Sequence, residues 1–306
     1  MIANRVAYGD TLIELAKENP NIAVLDTDVG KSTGTIQFKK AFPERFIEVG
    51  IAEQNMIGIA AGLASCGKIP FATTFAVFTS MRAVEQIRNS VCYTNLNVKI
   101  AGTHAGLETG ADGATHQAIE DIAIIRSIPN IRLLVPSTPC ATRKLTRLAA
   151  ELEGPVYLRF GKEPAEELYS EEEDFPLGGS KQLTQGDDAA VLACGNMVVV
   201  ALEAARILEK QGKKVRVLDM YSVKPIDEEA IVRATKETKG IVTIEDHNII
   251  GGLGGAVSEI VTLRSPVKVI RLGLRDVFGR SGDMKGLHKL YGLTAENIVT
   301  AVRSFL

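Results

Sequence analysis

Short apolar runs alternate with stretches of helical spacing along almost the whole chain, and that rhythm constrains the fold more than any other feature. IAVLD (22–26), RFIEVG (45–50), IPFATTF (69–75), NVKIAG (97–102), NIRLLVP (130–136) and PVYLRF (155–160) read as strands. Helical spacing separates several of them: Leu12, Leu15 and Ala16; Met81, Val84, Ile87 and Val91; and AIEDIAIIRSI (118–128). Such alternation implies parallel strands with right-handed helical crossovers, and ligand-binding loops gathered at the strands' carboxyl ends. Beyond residue 160, GKEPAEELYSEEEDFPLGGS combines a charge run with two prolines and a Gly-Gly pair, and reads as a solvated inter-domain connection. The rhythm then resumes with AAVLAC (189–194), VVVALEAARILEKQ (198–211), KVRVLDM (214–220), a helix from Asp227, GIVTIE (240–245), a helix at Gly251–Gly255, and KVIRLG (268–273). The expected fold is α/β: two doubly wound domains with mainly parallel sheets, residues 1–162 and 187–306, joined by a linker over 163–186.

At 306 residues and 45% hydrophobic content, the chain can bury two cores, and a formal net charge of -2 without a basic cluster argues against a nucleic-acid surface. No apolar run reaches membrane-spanning length, and the residues from Met1 lack a signal-peptide core. Cys66, Cys92, Cys140 and Cys194 stand far apart, with no CxxC pair and no metal spacing, which suits a reducing cytoplasm.

GIAEQNMIGIAAGLASCG (50–67) reads as a helix buried on almost every side, with Gly58, Ala61 and Gly62 admitting another backbone. Glu53 in its first turn needs compensation, because burying a lone carboxylate is costly or protonates it. Either the helix N-terminus favours the charge or the carboxyl has a functional partner. DTDVGKSTGT (26–35) follows a strand end and offers Asp28, Lys31 and Ser32 to a ligand, or is a plain solvated connection.

THAGLETGADGATHQ (103–117) holds His104, Glu108, Asp112 and His116 among glycines. Its imidazoles suit proton transfer near neutral pH; histidines satisfied by backbone bonds, or a metal site, are the alternatives. Phe75 and Phe78 present ring faces for a flat heterocycle or pack the core. Arg159 fits a phosphate clamp and equally an interior ion pair. Glu245 and His247 precede a glycine-rich helix start that could bind an anion or pack tightly on a strand.

EVGIAEQNMIGIAAGLASCGKIPFATTFAVFTSM (48–81), THAGLETGADGATHQAIEDIAIIRSIPN (103–130) and TIEDHNIIGGLGGAVSE (243–259) together resemble transketolase, a thiamine diphosphate enzyme family. The resemblance covers nearly the whole chain, first the pyrimidine-binding domain and then the carboxyl-terminal domain. The family's diphosphate- and magnesium-binding GDG motif is missing from the sequence. The chain therefore resembles the second subunit of a split transketolase. That implies an N-terminal partner subunit holding most of the magnesium, in an α2β2 assembly.

Carried over by position, Glu53 matches the glutamate that hydrogen-bonds the cofactor's aminopyrimidine nitrogen and switches it to the reactive tautomer; a raised pKa would assist that switch. Phe75, Phe78 and Met81 match residues packed on the pyrimidine, with Met81 standing where tyrosine is common. Asp28 matches an acidic residue near the cofactor at the subunit boundary. His104 and His116 match substrate-facing catalytic histidines, Asp112 the aspartate that reads a donor hydroxyl, and Ser32 and Arg159 groups near the substrate phosphate. Ala114 and Ala118 replace prolines of the family pattern, which implies a less constrained loop. The implied function is two-carbon ketol transfer from a ketose phosphate to an aldose phosphate in the pentose phosphate pathway. The β subunits of 2-oxo-acid dehydrogenases and deoxyxylulose-phosphate-synthase-like enzymes share this domain order, and a non-catalytic regulatory subunit would retain the fold.

Overall fold

The computed structural model describes all 306 residues and contains the two expected sheets. The first has seven strands in the order Ser222–Lys224, Arg132–Leu134, Val156–Arg159, Lys99–Thr103, Ile69–Phe75, Ile22–Asp26 and Phe46–Glu48. All neighbours run parallel except Ser222–Lys224, which lies antiparallel to Arg132–Leu134. The second has five strands: Val269–Leu274, Ile241–Asn248, Ala189–Ala193, Val215–Asp219 and, antiparallel at the edge, Lys181–Thr184. The central strands of both are buried along their whole length, as parallel strands covered on two faces must be.

Two boundaries differ from the sequence reading. Ser222–Lys224 belongs by sequence to the second half yet completes the first sheet, so the halves interlock. The connection after residue 160 is only partly solvated. Its charged residues face water, but Tyr169 and Phe175 are buried, and their rings meet edge to face at 5.0 Å. Phe175 in turn meets Tyr221 at 5.0 Å, so the aromatic residues strap the connection onto the first domain.

The helix Glu53–Ser65 also differs from expectation. It buries Met56, Ile57, Ala60 and Ala61 against the sheet, while Gln54, Asn55, Gly58 and Gly62 face outward and Ile51 is 78% exposed. Nothing stands within 4 Å of a Cβ placed at Gly58 or Gly62, so no backbone of this chain makes the close approach the glycines permit. The segments Phe78–Arg82 and Ile87–Cys92 are wound wider than an α-helix, with Ala83 N–H donating to Phe78 C=O (3.1 Å) and Tyr93 N–H to Arg88 C=O (2.9 Å). Such widened turns are uncommon and gather at functional sites. The helices Pro139–Glu151, Met284–Tyr291 and Ala295–Arg303 complete the layers; the first starts at Thr138, whose side chain accepts from Ala141 N–H with proline at the first turn. No helix is long and apolar enough to cross a membrane.

Candidate active site

Adjacent strands of the first sheet deliver the candidate residues to one rim. Asp28 and Ser32 follow Ile22–Asp26, Glu53 follows Phe46–Glu48, Phe75 ends Ile69–Phe75, and His104 follows Lys99–Thr103. This is the carboxyl edge where open parallel sheets place their ligands.

Glu53 is 2% exposed at the start of its helix, and its charge is compensated by a partner that the sequence reading did not name. Arg82 Nη1 donates to Glu53 Oε2 at 2.8 Å, and the guanidinium lies 4.4 Å from the centre of the Phe78 ring. Phe78 and Arg82, four residues apart, lie on one face of the helical stretch. No hydrogen bond within the chain occupies Glu53 Oε1. The Phe75 and Phe78 rings are nearly parallel, 18° apart with centroids at 6.1 Å. His104 lies against Phe75 at 4.2 Å, and His116 meets Phe78 edge-on at 5.4 Å. Glu53, Phe75, Phe78, His104 and His116 thus form one cluster.

His104 is buried, with φ of +58°, and its Nδ1 is 3.0 Å from Thr103 Oγ1. Burial, together with the charges of Arg5 and Lys162, pushes its pKa down to about 3, so the ring is neutral at pH 7. The loop from His104 to Gln117 is tied down despite its alanines at 114 and 118. Gly106 N–H donates to Ala118 C=O (2.8 Å) and closes its base. Leu107 N–H donates to the Asp246 carboxylate (3.0 and 3.1 Å), and Gln117 Nε2 to Arg280 C=O (3.0 Å). The second domain supplies the restraint that the prolines would have given.

Arg159 is the last residue of the strand Val156–Arg159, and its side chain is held in the interior. It is 5% exposed inside the sheet: Nε donates to Asp121 Oδ2 at 2.8 Å, and Nη2 donates to Asp246 C=O (2.9 Å) and Ala118 C=O (3.3 Å). Of the two uses open to it, the interior ion pair is the one the structure shows. Arg5 and Lys162, which the sequence reading did not name, carry the positive charges that act on His104. Arg5 Nε donates to Lys162 C=O (3.2 Å) and Nη1 to Ser32 C=O (2.6 Å), tying Ser32 to the same corner. Lys162 lies three residues beyond Arg159, just past the carboxyl end of the same strand.

Asp28 and Asp112 are exposed on rim loops; Asp28 has φ of +63°, and its N–H donates to Glu48 Oε1 at 2.8 Å. Met81 is 41% exposed beside a shallow pocket of about 390 Å³ shared with Ala114 and with Phe278 of the second domain. The glycine-rich helix start is filled from within: Glu245 accepts from Leu253 N–H (2.6 Å) and Gly254 N–H (2.8 Å), leaving no anion site there. His247 Nδ1 donates to Asn248 C=O (2.6 Å) and Nε2 accepts from Ala123 N–H (3.3 Å), so this histidine is structural. No group of three or more His, Cys, Asp or Glu side chains could hold a metal ion.

The cluster fits the pyrimidine end of thiamine diphosphate: a buried carboxylate with one free oxygen is joined through Arg82 to a pair of near-parallel aromatic rings. Comparison with known proteins agrees. Residues 1–166 match the family described as "Transketolase, pyrimidine binding domain", and residues 178–298 match "Transketolase, C-terminal domain". The chain therefore belongs to the transketolase family. A protein of Methanocaldococcus jannaschii named for the transketolase C-terminal section is 49% identical, covering 97% of this chain and 94% of its own length. A solved "Split gene transketolase, inactive beta4 tetramer" superposes with a TM-score of 0.93 at 50% identity, covering 100% of this chain and 99% of that one. Rattus norvegicus transketolase is 40% identical over 100% of this chain but only 49% of its own length, so the chain spans about half of that enzyme. Within the family, this chain corresponds to the C-terminal section.

Proposed function

We propose that the chain supplies the pyrimidine side of a thiamine-diphosphate site for two-carbon ketol transfer from a ketose phosphate to an aldose phosphate. The cluster of Glu53, the Phe75–Phe78 wall and the two histidines carries this reading. Thiamine diphosphate, when bound, supplies the nucleophilic carbon and the electron sink for cleaving the carbon–carbon bond. Glu53 Oε1, the oxygen that Arg82 leaves free, would hydrogen-bond and exchange a proton with the aminopyrimidine nitrogen, Phe75 and Phe78 would flank the ring, and neutral His104 would hydrogen-bond substrate oxygens without adding charge. Arg5 and Lys162 attract the substrate phosphate, and Asp112 and His116 close the site from the loop.

We propose an N-terminal partner subunit that contributes the diphosphate and magnesium end, in an α2β2 assembly. The homologous split-gene protein is described as inactive as a β4 tetramer, which fits a subunit that needs a second kind of chain. The four free cysteines suit the cytoplasmic setting proposed for it. The test mixes this chain with a partner carrying the GDG motif, thiamine diphosphate and magnesium, and measures two-carbon transfer between phosphosugars. Transfer only in the mixture supports the reading. Transfer by this chain alone overturns the division of labour, and use of pyruvate in place of a ketose phosphate overturns the reaction.

A further inference from the structure

Glu108 is a buried carboxylate that the proposed chemistry does not use. It is 4% exposed, and every hydrogen bond it makes joins two parts of the molecule. Its Oε2 accepts from the backbone N–H of Lys162 and from that of Glu163 (2.9 Å), and its Oε1 accepts from Asn196 Nδ2 of the second domain (2.7 Å). Asn196 also reaches Asp246 Oδ2 (3.2 Å), the carboxylate that holds Leu107 N–H. A Cβ at Gly161 would stand 2.2 Å from Glu108 Oε2, so the strand end must carry glycine for the carboxylate to seat.

Resting on the ketol-transfer reading, we propose that Glu108 is a positioning residue for substrate-phosphate recognition, setting the Lys162 segment, and through it Arg5 and Ser32, against the second domain. The connection is continuous. Glu108 fixes the Lys162 amide, Lys162 C=O receives Arg5 Nε, and Arg5 Nη1 binds Ser32 C=O. Ser32 and Lys162 both follow the carboxyl ends of strands in the first sheet, and Arg5 bridges their carbonyls. A carboxylate can accept from all three donors at once, whereas glutamine cannot, because its NH2 group would confront a donor. Loss of the strut therefore releases the cations while leaving Glu53 and the ring wall in place.

Two measurements on Glu108→Gln decide the matter. Amide hydrogen exchange on the isolated chain should speed up at least tenfold at Lys162 and Glu163, with the strand Lys99–Thr103 unchanged. In the enzyme reconstituted with its partner, kcat/KM for a ketose phosphate should fall at least tenfold relative to kcat/KM for hydroxypyruvate, a donor without phosphate. Unchanged exchange, or equal loss for both donors, overturns the proposal. Asn196→Ala, which leaves the carboxylate in place, should move both readings the same way by a smaller factor. It decides the question should the glutamine variant fail to fold. If wild-type enzyme transfers from neither donor, the ketol-transfer reading fails, and the exchange experiment still judges the strut.

Discussion

Arg82 donates to Glu53 across 2.8 Å while lying 4.4 Å from the Phe78 ring centre, so one half-exposed side chain touches both the acid and the aromatic wall. Replacing the carboxyl with an amide removes the proton donor but keeps its shape. Glu53→Gln should lower kcat of the reconstituted enzyme by about 10²–10⁴, the usual contribution of a positioned acid. Arg82→Met leaves the buried Glu53 carboxylate without its partner and should cost about 1–3 kcal/mol in urea unfolding. Retention of wild-type turnover by Glu53→Gln would remove the role assigned to it.

Arg159 and Lys162 should separate stability from recognition. Arg159→Met strands Asp121 as an unpaired buried charge and should cost about 3–5 kcal/mol in denaturant unfolding. Lys162→Met should leave the unfolding midpoint nearly unchanged and raise KM for a ketose phosphate in the reconstituted enzyme. An unfolding midpoint unmoved by the Arg159 change would contradict its interior role.

His104 and His288 should give opposite pH dependences. The folded pKa of His104, about 3, lies below its unfolded value, so only the unfolded chain takes up this proton as acidity rises. Stability from this group is therefore full above about pH 6.5 and is lost as pH falls towards the folded value. His288 is the reverse. Burial alone would lower its pKa, but Asp246, whose Oδ2 is 3.5 Å from Nε2, and Glu108 outweigh that and leave it raised. Its contribution is full below about pH 6.5 and disappears as pH rises through the raised value. Urea unfolding between pH 4.5 and 8.5 should show a shallower acid limb in His104→Asn and a shallower alkaline limb in His288→Asn.

Glu245 caps the helix Leu253–Arg264 through two backbone N–H groups. Glu245→Ala exposes those donors to an apolar interior and should cost about 1–3 kcal/mol. Gly252→Ala should be at least as damaging, since its Cβ would stand 2.0 Å from Glu245 Oε2. Thermal unfolding of both variants tests this, and unchanged melting would show that the cap is dispensable.

The sheet scaffold was readable because local signals suffice there: IPFATTF matches the strand Ile69–Phe75 residue for residue, and the alternation places Glu53, Phe75 and His104 on one rim. Features built from distant contacts were not. Nothing in the spacing of Arg159 distinguishes a phosphate from Asp121, and Glu53 meets Arg82 from 29 positions away, a contact that hydrophobic periodicity does not register. Glu108 was visible as one polar residue in a loop, but its role depends on Asn196, 88 positions away. Ser222–Lys224 is too short to read as a strand of either sheet until its pairing with Arg132–Leu134 is seen.

That last strand bears on how the protein is made. While the chain emerges from the ribosome, the flank of Arg132–Leu134 stays open until about ninety more residues have been synthesised. An open flank of this kind invites pairing with a neighbouring nascent chain. Cutting the gene at the connection would leave the leading fragment permanently in that state, so the two halves are better treated as one unit of biogenesis than as modules to be expressed apart.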